Sequence, residues 1–192
     1  MQIFTTNLLK IIKDEAKDKN NIDFIEGVQI SKNKFCIISA ECVHKQKIDK
    51  TFSMKWYWSK WFAIHALYEN TDRNKTDIME LGDYLFRWDR GIFWLGLIKI
   101  NPTFINRLLF GWMFDMETHH TLSRNKSNTH NEKKRVLVDA CQDIDKIGKI
   151  IKYNDQKLGF YPIWICPIKK IKNDEKIFSP DNILNSEYII DV

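Results

Sequence analysis

From Asn7 to Lys19 the apolar residues fall at Leu8, Leu9, Ile11, Ile12 and Ala16, a helical spacing that ends in the polar run Lys17–Asn21. Phe24–Ile30 and Phe35–Val43 are apolar and partly β-branched, and Ser31-Lys32-Asn33-Lys34 separates them, which predicts a hairpin. Trp56–Tyr68 is aromatic and reads as helix, followed by the solvated stretch Glu69–Asp77. Asp83–Ile100 follows neither period. Pro102 then opens a helical pattern through Phe104, Ile105, Leu108, Leu109 and Trp112, a position where its missing N–H does no harm. Glu117–Arg135 is the most polar tract of the chain and reads as an exposed, mobile loop. Regular patterns return with a strand at Arg135–Ala140 and a helix at Asp143–Leu158, which carries Ile144, Ile147, Ile150 and Ile151 on one face and stops at Gly159. Strands at Tyr161–Ile168 and Glu187–Val192 close the pattern.

No internal repeat is present. The order is α, β, β, a long aromatic insertion at about residues 52–134, then β, α, β, β. Two β-α-β-like halves around an antiparallel sheet point to a ferredoxin-like α+β domain whose first half lacks its opening strand. We expect a single unit with at least four antiparallel strands, Phe24–Ile30, Phe35–Val43, Arg135–Ala140 and Tyr161–Ile168, and a mostly helical insertion over Trp56–Trp112.

Composition narrows the function more than the fold. At 192 residues the chain suits one domain, and 44% hydrophobic with 29% charged residues are globular values. The formal charge is +5, but 24 of the 30 basic residues are Lys. Phosphate recognition favours the Arg fork, so AT-rich coding explains the charge and no nucleic-acid partner is expected. Cys36, Cys42, Cys141 and Cys166 form no CxxC. Cys36 and Cys42 lie about 20 Å apart along one strand, so reduced thiols are the expectation. Met1–Lys10 lacks the signature of a secretory signal. Ile92–Ile98 and Leu108–Phe114 fall far short of the ~20 apolar residues a membrane helix needs. These features suit the cytoplasmic side of the cell, with association at a membrane surface left open.

Seven glycines build no GxGxxG, GxxxxGK[ST] or GxSxG loop, so a nucleotide or flavin must be held mostly by something outside this chain. Asp115, Glu117, His119, His120 and His130 match no helical metal spacing and read as a solvated loop; no metal is expected. In Tyr84–Trp94, two arginines and an aspartate sit among five aromatics, where burying them unpaired is costly. They form either a structural ion pair of Asp89 with Arg87 or Arg90, or the wall of a flat apolar ligand site. Along Phe160–Pro167, strand alternation turns Tyr161, Ile163 and Ile165 one way and Pro162, Trp164 and Cys166 the other. Two prolines there imply an edge or a break in pairing. A core strand and a site-facing strand both remain open.

Phe24-Ile25-Glu26-Gly27, Trp61-Phe62, Arg90 with Ile92-Phe93-Trp94, Leu109-Phe110-Gly111-Trp112-Met113 and Tyr161–Pro167 occur in this order in the FAD-linked delta-24-sterol reductases, the Diminuto/Dwarf group. From about Phe24 to Val192 the chain resembles the part of those enzymes that follows the flavin domain. The Leu-Phe-Gly-Trp and Tyr-Pro-Ile-Trp-Ile-Cys-Pro blocks are its most specific features. The resemblance implies a cap on the substrate side of a vanillyl-alcohol-oxidase-type flavoprotein, with the FAD domain itself absent and this sequence stopping where the family continues. It implies reduction of a carbon–carbon double bond in a sterol or other flat apolar substrate, FAD as cofactor and NADPH as donor. Arg90, Trp94, Tyr161 and Trp164 would face substrate or flavin, supported by Arg87, Asp89, Tyr84 and Cys166, with catalytic residues unassigned. The expected reading is a split or truncated part, inactive alone, whose partner is a separate FAD-binding polypeptide. The alternative is a non-catalytic lipid- or sterol-binding module. One departure stands out: the family tends to show Gln-Asp at the strand opening its second half, where this chain has Val138-Asp139. Trp56, Trp58, Trp88, Trp94 and Trp112 are also too many for the core of a lone cap to hide, so several are expected in an exposed apolar patch.

Overall fold

The structure, a computed structural model, describes residues 7–12, 14, 22–44, 52–69, 76–126, 141–169 and 188–191. Two compact units emerge, Met1–Cys42 with Leu137–Val192, and Val43–Val136.

The first unit is a five-stranded sheet covered by helices. Helix α1 covers residues 7–12, β1 is Phe24–Ser31, and β2 is Lys34–Ala40. These two strands pair antiparallel as the alternation and the Ser31–Lys34 turn predict. In the second unit lie α2 (Phe62–Ile64), α3 (Leu81–Leu85), α4 (Leu95–Lys99), α5 (Phe104–Phe110) and α6 (Met116–Lys126). The first unit resumes with β3 (Cys141–Asp143), α7 (Ile147–Tyr153), β4 (Ile163–Lys169) and β5 (Tyr188–Asp191). Sheet order is β2-β1-β4-β5-β3, with every neighbouring pair antiparallel. β3 and β4 both oppose β5, so they run parallel to each other, with α7 crossing between them and β5 inserted as a split β-α-β unit.

Registered partners share a face. Ile25, Phe35, Ile37, Ile163 and Ile165 therefore lie on one side, where they pack with Leu8 and Ile12 of α1 and Ile147 and Ile151 of α7. Glu26, Val28, Cys36, Trp164 and Cys166 lie on the other. Helix α7 continues as a π-helical turn to Leu158, and Gly159, at φ 66°, ends it in the left-handed conformation that glycine permits.

Several expectations change. The strand at Arg135–Ala140 lies outside the described residues, and β3 begins at Cys141. The polar tract from Glu117 is not a loop at its start: α6 runs to Lys126, with the Asp115 carboxylate accepting the Glu117 N–H at 3.2 Å. His119 and His120 are thus helical, while His130 falls outside the described residues. β4 is interior rather than an edge. It pairs with β1 through Ile163–Ile165 and with β5 through Cys166–Lys169, so Pro167 follows the last residue paired to β1. The break in pairing is real, and it lets a proline sit in an inner strand.

The second unit is built on Trp61, which is fully buried. A Cβ on Gly91 would stand 2.9 Å from its indole and one on Gly96 2.6 Å, so both glycines are required for the backbone to close over the ring. Trp88 is buried as well, edge-on to Phe62 and stacked on Phe93. Of the five tryptophans among which several were expected to be exposed, Trp56 and Trp112 are exposed, Trp58 and Trp94 are half-buried, and Trp88 joins the core. Among the described residues no helix is long and apolar enough to cross a membrane.

Candidate functional site

The residues singled out from sequence fall into two groups, one in each unit. In the second, Tyr84 lies in the last turn of α3, which ends at Leu85, and the chain turns through Phe86–Arg90. Gly91, Ile92 and Phe93 then adopt successive positive φ values of 83°, 50° and 57°. A β-branched residue in that region is strained by about 1–3 kcal/mol. Hydrogen bonds from Gly91 N–H to Phe114 O at 2.7 Å and from Phe93 N–H to Trp88 O at 2.8 Å hold the turn.

That turn sends the candidates to different surroundings. Arg87 donates to Tyr84 O at 2.7 Å and stacks over the Tyr84 ring at 4.0 Å, so its role is to bind α3 to the turn. Trp94 packs edge-on against Trp88 in the aromatic cluster. Arg90 points elsewhere, donating from Nε to Met54 O at 3.1 Å and pairing with Asp115 at 3.5 Å. The Arg90 ion pair thus reaches 25 residues along the chain, beyond its own segment. Arg90 and Asp89 line a hollow of about 260 Å³ together with Asp83, Asp115, Met54 and Phe86. Burial pushes the Asp89 carboxyl above its ordinary value, Asp115 adds to that rise, and Arg90 opposes it. Three carboxylates and one guanidinium suit a small hydrogen-bonding ligand. The hollow lies below the roughly 300–1,000 Å³ of typical ligand pockets, and its lining mixes these charges with Met54, Gly82 and Phe86.

In the first unit the end of α7 positions the rest. Asn154, itself buried, donates to Phe160 O at 2.9 Å and accepts the Phe160 N–H at 3.3 Å, fixing the reversal at Gly159. Tyr161 follows, preceding a cis bond to Pro162, and its hydroxyl donates to Asp155 Oδ1. The same oxygen accepts from Gln29 Nε2 at 3.1 Å. Gln29 shares the helix-covered face with Ile163, so the Tyr161 hydroxyl lies on that side. Trp164 faces the other way and donates its indole N–H to Glu26 Oε2 at 2.7 Å. Tyr161 and Trp164 therefore reach toward opposite faces and do not line one surface. Cys166 shares the Trp164 face, as does Cys36, whose thiol is pushed up by burial and then by Glu26. Sequence reasoning gave no site role to Glu26, Gln29 or Asp155. The visible signal was a charge and an amide inside the otherwise apolar strand Phe24–Ser31.

The strand that opens the second half holds Gln142-Asp143. Val138-Asp139, where the departure was noted from sequence, lies outside the described residues. Gln142 registers with Ile190 on the helix-covered face, and Asp143 pairs with Lys146 at 3.2 Å.

A delta(24)-sterol reductase homolog of Caenorhabditis elegans is 26% identical over 94% of this chain and 35% of its own length. The delta(24)-sterol reductase of Pisum sativum is 23% identical over 83% of the chain and 30% of its own length, and that of Homo sapiens 26% identical over 82% and 31%. This chain resembles the delta(24)-sterol reductases. It spans about a third of the length of these curated relatives. No family model matches it, and no solved structure does.

Proposed function

We propose that this chain is the substrate-side, cap portion of a flavin-dependent reductase of a sterol-like carbon–carbon double bond, completed by a separate FAD-binding polypeptide and inactive alone. The observation that carries the reading is the similarity to delta(24)-sterol reductases along 82–94% of this chain within only 30–35% of their length. In this reading the sheet unit is the ferredoxin-like cap proper and residues of about 52–134 are its insertion.

The described residues do not fit the dinucleotide part of FAD. Gly91 and Gly96 are filled by Trp61, and a Cβ on Gly111 would meet Tyr57 O at 2.8 Å, so three of the glycines serve internal packing rather than a phosphate cradle. A flavin supplies the redox chemistry while protein positions the reactants, and what this chain offers is a surface for substrate. Of the candidates, Trp164, bonded to Glu26, and Cys166 share the face of the sheet not covered by α1 and α7, whereas the Tyr161 hydroxyl is bonded on the covered side.

The test is co-expression with a flavin-domain polypeptide, followed by purification. NADPH-dependent saturation of a sterol side-chain double bond is expected from the pair and absent from either part, and bound flavin absorbance is expected from the pair and absent from this chain alone. Yellow, active protein from this chain alone would overturn the proposal.

A further inference from the structure

Helix α5 is built inside out. Thr103 fixes its start by accepting the Asn106 N–H at 3.2 Å. One turn on, the buried Arg107 donates from Nε to Trp58 O at 3.2 Å and from Nη1 to Pro102 O. Gly111 then lies against the Tyr57 carbonyl, where a side chain has no room. These anchors set the rotation of the helix with its cation and its glycine inward. The apolar stripe is left outward: Phe104 is 57% exposed, Ile105 64%, Leu109 56% and Trp112 51%, with Leu108 beside them. A helix that packs for its own core turns the opposite way, so this face is arranged for something other than the core it flanks.

We propose that Phe104, Ile105, Leu108, Leu109 and Trp112 form the docking surface for the polypeptide that supplies the two thirds of the sterol reductases this chain does not match, an inference that rests on the function proposed above. Between Ile100 and Phe114 the single charged residue is Arg107, which is buried, so the helix brings no exposed charge of its own to the face. The Trp112 indole N–H is already donated to Leu109 O at 3.1 Å, whereas a tryptophan at a bilayer surface turns that group to the wet side. An uncharged patch with aromatic residues is the composition of the core of a protein–protein interface. The relatives carry the mate for it, since the matched part makes up only 30–35% of their length.

The chain and the unmatched two thirds of the Caenorhabditis elegans relative, expressed as separate polypeptides, are mixed and examined by size-exclusion chromatography with light scattering and by titration calorimetry. A one-to-one complex is expected, weakened at least tenfold by Leu109→Glu or Trp112→Glu and unchanged by Leu158→Glu, which alters an exposed residue of the other unit. Circular dichroism should show all three variants folded; Ile105→Ser, a milder change at an equally open position, replaces any that is not. A complex indifferent to these substitutions overturns the docking surface while the partner reading stands. No complex with the unaltered chain overturns both. Binding to phosphatidylcholine vesicles, or self-association, that Trp112→Glu abolishes assigns the face to lipid or to a second copy and equally overturns the proposal.

Discussion

Trp164 on β4 donates its indole N–H to Glu26 on β1 at 2.7 Å, joining two residues 138 apart in sequence across adjacent strands. Glu26 is 2% exposed, so its carboxylate depends on protein donors. Trp164→Phe keeps a ring on the face and removes the donor, and should destabilise the protein by about 1–3 kcal/mol. Glu26→Gln keeps an acceptor and should cost less. Urea denaturation compares them, and equal midpoints for Trp164→Phe and the unaltered chain would show that the bond adds nothing.

Tyr161 supplies a pH signature. Its hydroxyl donates to Asp155, an interaction available only to the neutral phenol, and this pushes its pKa up to about 12, with burial and the Asp155 charge adding to the effect. Unfolded tyrosine titrates near 10. The stabilisation is therefore complete below about pH 10 and fades as pH rises from there through about 12. Tyrosinate absorbance should show a late-titrating component assigned to Tyr161, and Asp155→Asn should bring that component down in pH. A titration identical in Tyr161→Phe would place the late group elsewhere.

In the charged hollow, Arg90 lowers the Asp89 pKa while burial and Asp115 raise it. Arg90→Met should move Asp89 further up, and Asp115→Asn should move it down. Because the folded value exceeds the unfolded one, the Asp89 contribution favours folding at low pH and is lost as pH rises through the folded pKa, more so in Arg90→Met. Carboxyl-carbon NMR titration of Asp89 reads each shift directly. Movement of the same sign in both variants would contradict this arrangement of charges.

What sequence could and could not reveal divides along the range of the interactions. The β1–β2 hairpin was legible because alternation and a four-residue polar turn are local properties. So was the stop of the α7 segment at Gly159, since a left-handed helix terminus selects glycine. Helix α6 was missed because it has no apolar stripe for a periodicity argument to find; its sign was Asp115 one residue ahead of it, a cap signal outweighed by the polarity of the tract. For the site, the alternation at Ile163–Cys166 correctly separated the two faces of β4. It could not show that Tyr161, ahead of the strand, is drawn to Asp155, or that the partner of Arg90 is Asp115 rather than neighbouring Asp89. Those pairings are made by tertiary folding, and spacing along the chain carries no trace of them.

The glycines around Trp61 give the sharpest contrast in stability. Gly96 lies inside α4, where alanine is ordinarily the better helix former by about 0.5–1 kcal/mol. A Cβ there would nevertheless stand 2.6 Å from one Trp61 ring carbon and 2.8 Å from another, and the ring is fully enclosed and has no room to withdraw. Overpacking of this kind costs about 1–3 kcal/mol, so Gly96→Ala should destabilise on balance. Gly82, within α3, has nothing within 4 Å of the same added atom, and Gly82→Ala should raise the melting temperature by the helix-propensity gain alone. Thermal melts of the two variants should therefore move in opposite directions. A Gly96→Ala protein as stable as Gly82→Ala would mean that Trp61 is free to shift, and that the second unit is not organised around a fixed indole.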